Sequence, residues 1–323
     1  MLYPLKFNPI LKEIIWGGDE ICRFKNLYPL RSGIGESWEI SHVKDNVSIV
    51  ANGELKGKSI EELIETYGEK LLGRKIINRF STTFPLLIKF IDARDSLSVQ
   101  VHPDDRLAKK RHNSFGKTEM WYVIHATPGA FLYSGFVRPM TPNEYVRSLE
   151  EDTFMNYLQR HEVKNGDVFF LPAGRVHAIG AGCFIAEIQQ TSDITYRIYD
   201  YNRRDANGNP RELHTESAKD AIDYTIYSDY KSNYTPGLQP VQALVSCPYF
   251  TTNVIEGKKD DTLQTTHPDS FTVYICLEGN VQLTDGNGYS VEIRQGETVL
   301  LPAENRLATL TFVEKGKLLE TYI

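Results

Sequence analysis

The chain has 323 residues, of which 24% are charged and 41% are hydrophobic, and its formal net charge at pH 7 is -6. These values are typical of a globular protein that forms one large core or two modest ones, and they give no reason to expect nucleic acid or an anionic membrane as a partner. The sequence has no run of eighteen apolar residues, so it predicts no membrane-spanning helix.

Cysteine usage indicates a reducing compartment. The four cysteines are scattered without the close spacing of a metal-binding or redox motif. In a chain of this length, such cysteines are most often buried free thiols. The N-terminal residues also lack the apolar segment of a signal peptide, and we therefore expect a cytoplasmic protein.

The sequence predicts many short strands and a few helices. Residues Lys58 to Leu72 have the apolar spacing of a helix, with Ser59 as its N-cap and Glu62 three positions later, which is the pattern of a capping box. A second helical stretch, Thr141 to Arg160, has Pro142 in its first turn. Further along the chain, residues 205–210 predict a turn-rich loop and residues 215–223 a third, short helix.

A polar face is predicted on the strand from Leu97 to Pro103, where apolar and polar residues alternate. Neighbouring side chains on a strand point to opposite faces. Ser98, Gln100 and His102 therefore share one face, and the apolar residues share the other.

Two further segments carry polar side chains of the same kind. The segment from Lys117 to Ile124 predicts a strand on which Lys117 and Glu119 share a face. Later, Gly166 opens a turn, an apolar run predicts a strand, and a Pro-x-Gly sequence ends that strand shortly before His177. This arrangement can aim the imidazole of His177 into the mouth of a small β-barrel.

These strands can bring His102, Glu119 and His177 to one point, with Gln100 as a further candidate. Two imidazoles and a carboxylate suit Zn²⁺ and leave a position for substrate or water. A single histidine in a strand is more often a hydrogen-bonded core residue, and a single glutamate is usually solvated. The metal site is therefore predicted from the three residues together.

The frame from Gly166 to His177 resembles the second motif of cupins, and the segments around it resemble type I mannose-6-phosphate isomerases in their short bacterial form. Cupins in general carry His-x-His followed closely by Glu, whereas here Gln100 replaces the first histidine, which is the isomerase family's own pattern. The matching segments are Trp16–Gly18, Gly35–Glu39, Phe84–Lys89, Leu97–Asp105, Gly116–Tyr122, Gly166–His177 and Thr195–Asp200.

The resemblance implies a mainly β fold of two cupin-type, jelly-roll barrels with a few short inserted helices. It implies reversible isomerisation of D-mannose 6-phosphate to D-fructose 6-phosphate through an enediol or enediolate, with one Zn²⁺ per chain. The alternatives are another metal-dependent cupin enzyme, or a cupin that binds a sugar phosphate without catalysis. The oligomeric state stays open, with a homodimer as one alternative.

The resemblance also implies roles for individual residues. Without it, Ser98 and Lys117 would be taken for a backbone-bonded hydroxyl and a solvated lysine, and Arg197 for a surface arginine paired with Asp193 or Asp200. The sequence does not identify the group that carries the proton, for which Lys117, a metal-bound water, Asp200 and Glu39 are candidates. The implied roles are metal binding by Gln100, His102, Glu119 and His177, phosphate binding by Ser98 and Lys117, and catalysis by Arg197.

An internal repeat indicates a second barrel. Residues 166–173 align with residues 296–303, and the position that matches His177 is then Leu307. We therefore predict a catalytic, metal-binding cupin domain over residues 1–237, with helical insertions at about 58–72 and 141–160. Residues 238–323 are predicted to form a second cupin-like barrel without metal ligands, after a linker near residues 236–240.

Overall fold

The computed structural model describes residues 1–204 and 208–323. In that part of the chain, 24 strands form antiparallel sheets and the helices are short, which confirms the predicted mainly β fold. The described residues contain no helix of the length and apolar character that a membrane crossing requires. The predicted loop at 205–210 begins outside the described residues.

The elements have the following bounds. The strands before residue 205 are β1 (Leu5–Lys6), β2 (Ile10–Gly18), β3 (Ile34–Ile40), β4 (His42–Val43), β5 (Asn46–Val47), β6 (Leu86–Ala93), β7 (Val99–Val101), β8 (Glu119–Ala126), β9 (Phe131–Phe136), β10 (Leu158–Glu162), β11 (Val168–Leu171), β12 (His177–Ile179), β13 (Cys183–Gln190) and β14 (Tyr196–Tyr199). The later strands are β15 (Lys231–Ser232), β16 (Val241–Ser246), β17 (Thr251–Gly257), β18 (Thr262–Thr266), β19 (Thr272–Glu278), β20 (Asn280–Asp285), β21 (Ser290–Arg294), β22 (Thr298–Leu301), β23 (Leu307–Phe312) and β24 (Gly316–Tyr322). The helices are α1 (Glu20–Phe24), α2 (Ile60–Tyr67), α3 (Glu69–Leu72), α4 (Arg74–Phe80), α5 (Asp105–His112), α6 (Pro142–Glu150) and α7 (Thr215–Ala221), with a 3-10 turn at Phe154–Tyr157.

Each half of the chain contains two large sheets, and β4 and β5 form a separate two-stranded sheet in the first half. In the first half, a seven-stranded sheet with the order β15-β11-β8-β13-β6-β3-β2 accompanies a five-stranded sheet with the order β10-β9-β12-β7-β14. In the second half, the orders are β1-β22-β19-β24-β17-β16 and β18-β23-β20-β21. The N-terminal strand β1 thus belongs to the sheet of the second half, where Leu5 pairs with Leu300. The division at residues 237 and 238 stays a prediction.

Apolar residues fill the space between the sheets and between the two halves. In the second half, Tyr274 of one sheet and Leu310 of the other belong to the same buried cluster. A larger cluster joins Phe90 of the seven-stranded sheet to Val273 and Leu319 of the six-stranded sheet. The two large sheets therefore pack back to back, and strand β6 is buried on both of its faces.

The first predicted helical segment is confirmed, with one interruption. Ser59 Oγ accepts a hydrogen bond from the Glu62 backbone, and the Glu62 side chain accepts one from the Ser59 backbone, which is the expected capping box. Gly68 has a φ of 47° and divides the segment into α2 and α3. A residue in that conformation ends an α-helix, and glycine adopts it at little cost.

The second predicted helix was too long. Thr141 caps it as expected, but α6 ends at Glu150, and Asp152 has a left-handed φ of 53°. The chain then makes a 3-10 turn, and Arg160 pairs with Tyr133 as part of β10. Because this strand is held by pairing with β9, the local helical spacing did not reveal it. The third helix is confirmed at α7.

A buried ion pair lies where the two halves meet. Lys25 directly follows α1, and its side chain is 7% exposed. Its Nζ lies 2.8 Å and 2.9 Å from the two carboxylate oxygens of Glu39. Lys25 also donates to the carbonyl oxygen of Gly296 in the second half. Glu39 therefore contributes to the contact between the halves, and it does not line the cavity described below.

Candidate metal centre and substrate cavity

Three side chains from facing sheets converge inside the first half. Glu119 is the first residue of β8, His177 is the first residue of β12, and His102 directly follows β7. Their ligand atoms all lie within 4.8 Å of one another, and each residue is at most 1% exposed. In the described part of the chain, this is the one group of three or more His, Cys, Asp or Glu side chains with the proximity that a metal site requires.

Backbone contacts fix the tautomer of both histidines. Nδ1 of His102 lies 2.9 Å from the carbonyl oxygen of Ile194, and Nδ1 of His177 lies 2.8 Å from that of Arg175. A carbonyl oxygen can only accept, so each Nδ1 carries the proton and each Nε2 has a free lone pair. Burial, together with the positive charge of Lys117, lowers the pKa of both rings, that of His177 to about 3, so both are neutral at pH 7.

The cluster consists of hydrogen-bond acceptors. Oε1 of Glu119 lies 3.3 Å from Nε2 of His177, and both atoms are buried without a hydrogen-bond donor. On the other side, Nζ of Lys117 lies 2.5 Å from Oε2 of Glu119 and 2.9 Å from Nε2 of His102. Buried acceptors without a donor are costly, whereas a cation between them satisfies all of them. Two neutral imidazoles and a carboxylate therefore fit a divalent metal.

A cavity of about 400 Å³ opens beside this cluster. A larger groove of about 760 Å³ lies at the far ends of β6, β8 and β13, away from the cluster. The walls of the smaller cavity include Ser98, Gln100, Lys117 and Arg197, each of which the sequence had singled out. Gln100 also pairs with His177 between β7 and β12, so it lies next to the cluster.

The cavity contains a buried charge network that sequence reasoning missed. Lys89 and Glu187 face each other on β6 and β13, with Nζ 3.3 Å from Oε1, and Glu36 approaches Lys89 to 3.7 Å. Trp121 donates to the other Glu187 oxygen at 2.8 Å. Burial alone would raise the pKa of Glu187, but Lys117 and Lys89 outweigh this and lower it, so Glu187 is ionised. The available signal was a charged residue within each of two apolar runs, Lys89 in residues 86–91 and Glu187 in residues 183–188.

The structure does not show Arg197 as a surface arginine paired with Asp193 or Asp200, which was the alternative prediction. Its terminal nitrogen donates to the backbone carbonyl of Glu212 at 2.9 Å, and its Nε is buried without a partner. Asp200 instead accepts hydrogen bonds from Arg203 and Arg211. Arg211 also lines the cavity, and the sequence analysis did not single it out.

The paired sheets and the inward His/Glu/His cluster define a cupin-type protein with a candidate metal centre. Comparison with known proteins is more specific. The family model described as phosphomannose isomerase type I, catalytic domain, matches residues 5–150. The chain is 35% identical over 302 residues to mannose-6-phosphate isomerase ManA of Bacillus subtilis, covering 93% of each chain. It is 37% identical over 308 residues to mannose-6-phosphate isomerase of Streptococcus mutans, covering 94% of this chain and 93% of the relative.

Structural comparison agrees. The crystal structure of the mannose 6-phosphate isomerase from Bacillus subtilis matches with a TM-score of 0.89 and 30% identity, over 100% of both chains. The chain belongs to the type I mannose-6-phosphate isomerase family, and the resemblance found from the sequence is confirmed.

Replacing a ligand candidate tests the metal site. In His177→Ala, bound divalent metal should fall from one ion per chain to a small fraction, because one of three buried donors is lost. The sheets should persist, since strand pairing and apolar packing hold them. Elemental analysis and far-UV circular dichroism of the purified protein measure both properties. His125→Ala, which removes an exposed histidine of β8, is the matched control and should keep its metal. Full metal content in His177→Ala would contradict the assignment.

Proposed function

We propose that the protein interconverts D-mannose 6-phosphate and D-fructose 6-phosphate, with Zn²⁺ bound by His102, Glu119, His177 and Gln100. The observation that carries this proposal is the buried cluster of acceptors beside a cavity lined by lysine and arginine. The family relationship gives the substrate class, since the relatives are named mannose-6-phosphate isomerases. We infer a cytoplasmic location from the cysteines, which are all free thiols in the structure.

Zinc is the proposed metal because of the donor set. Neutral imidazole nitrogens and one carboxylate are typical ligands of Zn²⁺, and the side-chain oxygen of Gln100 would be a weaker fourth ligand. When bound, such an ion supplies positive charge that stabilises the oxyanion developing at a polarised carbonyl. The carbonyl contacts of His102 and His177 keep both imidazoles oriented for this task.

Arg197 is proposed as the catalytic residue. Aldose–ketose isomerisation moves a proton between C1 and C2 and builds negative charge on the adjacent oxygens. Arg197 lies opposite Gln100 in the pairing of β14 with β7, and so beside the metal cluster. Its guanidinium, half-buried and with Nε unpaired, can donate to those oxygens as the charge develops.

Phosphate binding is proposed for Ser98 and Lys117. Both residues line the cavity. The ammonium of Lys117 contacts the lone pairs that a metal ion would use, so with the ion bound it would be free to donate to a phosphate. Ser98 directly precedes β7, two residues from Gln100, and it can add a hydroxyl donor.

The function is tested by a coupled assay of fructose 6-phosphate formation from mannose 6-phosphate. The purified protein should be active, should lose that activity when a chelator removes the metal, and should regain it when Zn²⁺ is returned. Circular dichroism before and after chelation shows whether the fold persists. If the metal-loaded protein formed no fructose 6-phosphate, or if the metal-free protein were fully active, the proposal would be wrong.

Arg197→Ala separates catalysis from structure. An interaction made only in the transition state lowers kcat and kcat/KM together when it is removed. We expect kcat to fall by about two to three orders of magnitude, as for loss of an oxyanion donor, with little change in KM and with normal metal content. Arg197→Lys should restore little, since an ammonium lacks the planar set of donors.

The competing account treats Arg197 as a structural residue. It predicts a lower melting temperature for Arg197→Ala, with nearly normal kcat in the folded fraction. Measuring kcat, metal content and melting temperature on one preparation distinguishes the two accounts.

A further inference from the structure

Arg211 lines the cavity, although neither the motifs nor the family resemblance assigned it a role. Its Nε donates to Oδ2 of Asp200 at 2.6 Å, and one terminal nitrogen donates to the other carboxylate oxygen. We propose that Arg211 binds the phosphate group of the substrate and that Asp200 is the positioning residue that orients it. This inference rests on the isomerase function proposed above.

Asp200 is suited to hold the guanidinium in one orientation. It is 5% exposed, and both of its oxygens bind the same side of the Arg211 fork, which leaves the other side for a ligand. Burial alone would raise the pKa of Asp200, but hydrogen bonds from Arg211 and Arg203 outweigh this and lower it. Asp200 is therefore a carboxylate at neutral pH. Arg203 also donates to the Ser96 carbonyl at 2.5 Å, which ties this segment to the one that precedes β7.

Strand pairing and the contact with Asp200 place the Arg211 guanidinium toward the end of the cavity that lies away from the metal cluster. Arg197 is opposite Gln100, whereas Tyr199 is opposite Val99, so the chain moves away from the metal cluster as it approaches Asp200. Asp200, one residue beyond Tyr199, therefore lies at the level of Ser98, one residue before Val99. A strand rises about 3.3 Å per residue, so this level is about 7 Å from Gln100. In a hexose 6-phosphate, the phosphate is likewise several bonds from C1 and C2.

The charges near Arg211 favour an anion. The single negative charge of Asp200 faces two guanidiniums, those of Arg203 and Arg211, so the group keeps a net positive charge. Arg211 also acts on Arg197, whose pKa is lowered by burial and then by the positive charge of Arg211. A phosphate dianion beside Arg211 would relieve this repulsion, and the planar fork of arginine matches phosphate oxygens.

The test measures binding of D-sorbitol 6-phosphate, which has the phosphate but no carbonyl, together with mannose 6-phosphate kinetics. Arg211→Ala should raise the Kd of sorbitol 6-phosphate, and the KM of mannose 6-phosphate, by about ten- to a hundredfold. Arg211→Lys should recover part of the affinity, because it restores the charge without the fork. Asp200→Asn should give an intermediate loss, because it weakens the contacts that orient Arg211. Metal content should stay at the wild-type level in each variant.

Arg204→Ala is the matched control. Arg204 is exposed on the same segment and donates to the Gly208 carbonyl, so its loss changes the charge equally without touching the cavity wall. Its Kd should match the wild type. A wild-type Kd in Arg211→Ala, or an equal loss in Arg204→Ala, would overturn the role of Arg211. If Arg211→Ala does not fold, Arg211→Gln replaces it, and the same outcomes apply.

The same data distinguish this inference from the proposed function. If the wild-type protein neither isomerises mannose 6-phosphate nor binds sorbitol 6-phosphate, the proposed function has failed. If the wild type does both and Arg211→Ala binds sorbitol 6-phosphate equally well, only the inference about Arg211 has failed.

Discussion

The rest of the site depends on one feature, the buried hydrogen-bond acceptors of His102, Glu119 and His177, which have too few donors. Backbone carbonyls hold the Nδ1 protons of His102 and His177, so both Nε2 lone pairs point at the carboxylate of Glu119. Burial keeps the rings neutral. A cation among these atoms would satisfy the lone pairs that lack a donor, and the Lys117 ammonium already contacts Oε2 of Glu119 and Nε2 of His102. The capacity of the cluster to hold a metal ion follows from this arrangement.

The second half of the chain has the same strand arrangement but lacks the three metal-ligand candidates. Strand pairing places Thr272 where the first half has Glu119, and Tyr274 where it has Trp121. The position equivalent to Glu187 is occupied by Glu320, which is also buried. Glu320 accepts from Asn253 at 2.9 Å and lies 3.0 Å from the His267 ring, so its neighbours are side chains of its own half of the chain.

The sequence predicted those parts of the site that local pattern controls. Strand alternation placed Gln100 and His102 on one face, and the Gly166 frame placed His177 near them. The partnership of Lys89 and Glu187 was missed, because it depends on the register between β6 and β13, which are far apart in the chain. Arg211 was missed for a similar reason, since its role follows from the contact with Asp200. The helix predicted over 141–160 was too long because pairing with β9 decides the structure of its last residues.

Anomalous diffraction from crystals of the zinc-loaded protein, measured on both sides of the zinc absorption edge, shows directly whether the cluster of His102, Glu119 and His177 holds the metal. We expect one strong zinc peak per chain at about 2.0–2.2 Å from Nε2 of His102, Nε2 of His177 and a carboxylate oxygen of Glu119. The Lys117 ammonium should then no longer contact these atoms. A principal peak in the second half of the chain, or no peak beside His177 in crystals that contain stoichiometric zinc, would contradict this expectation.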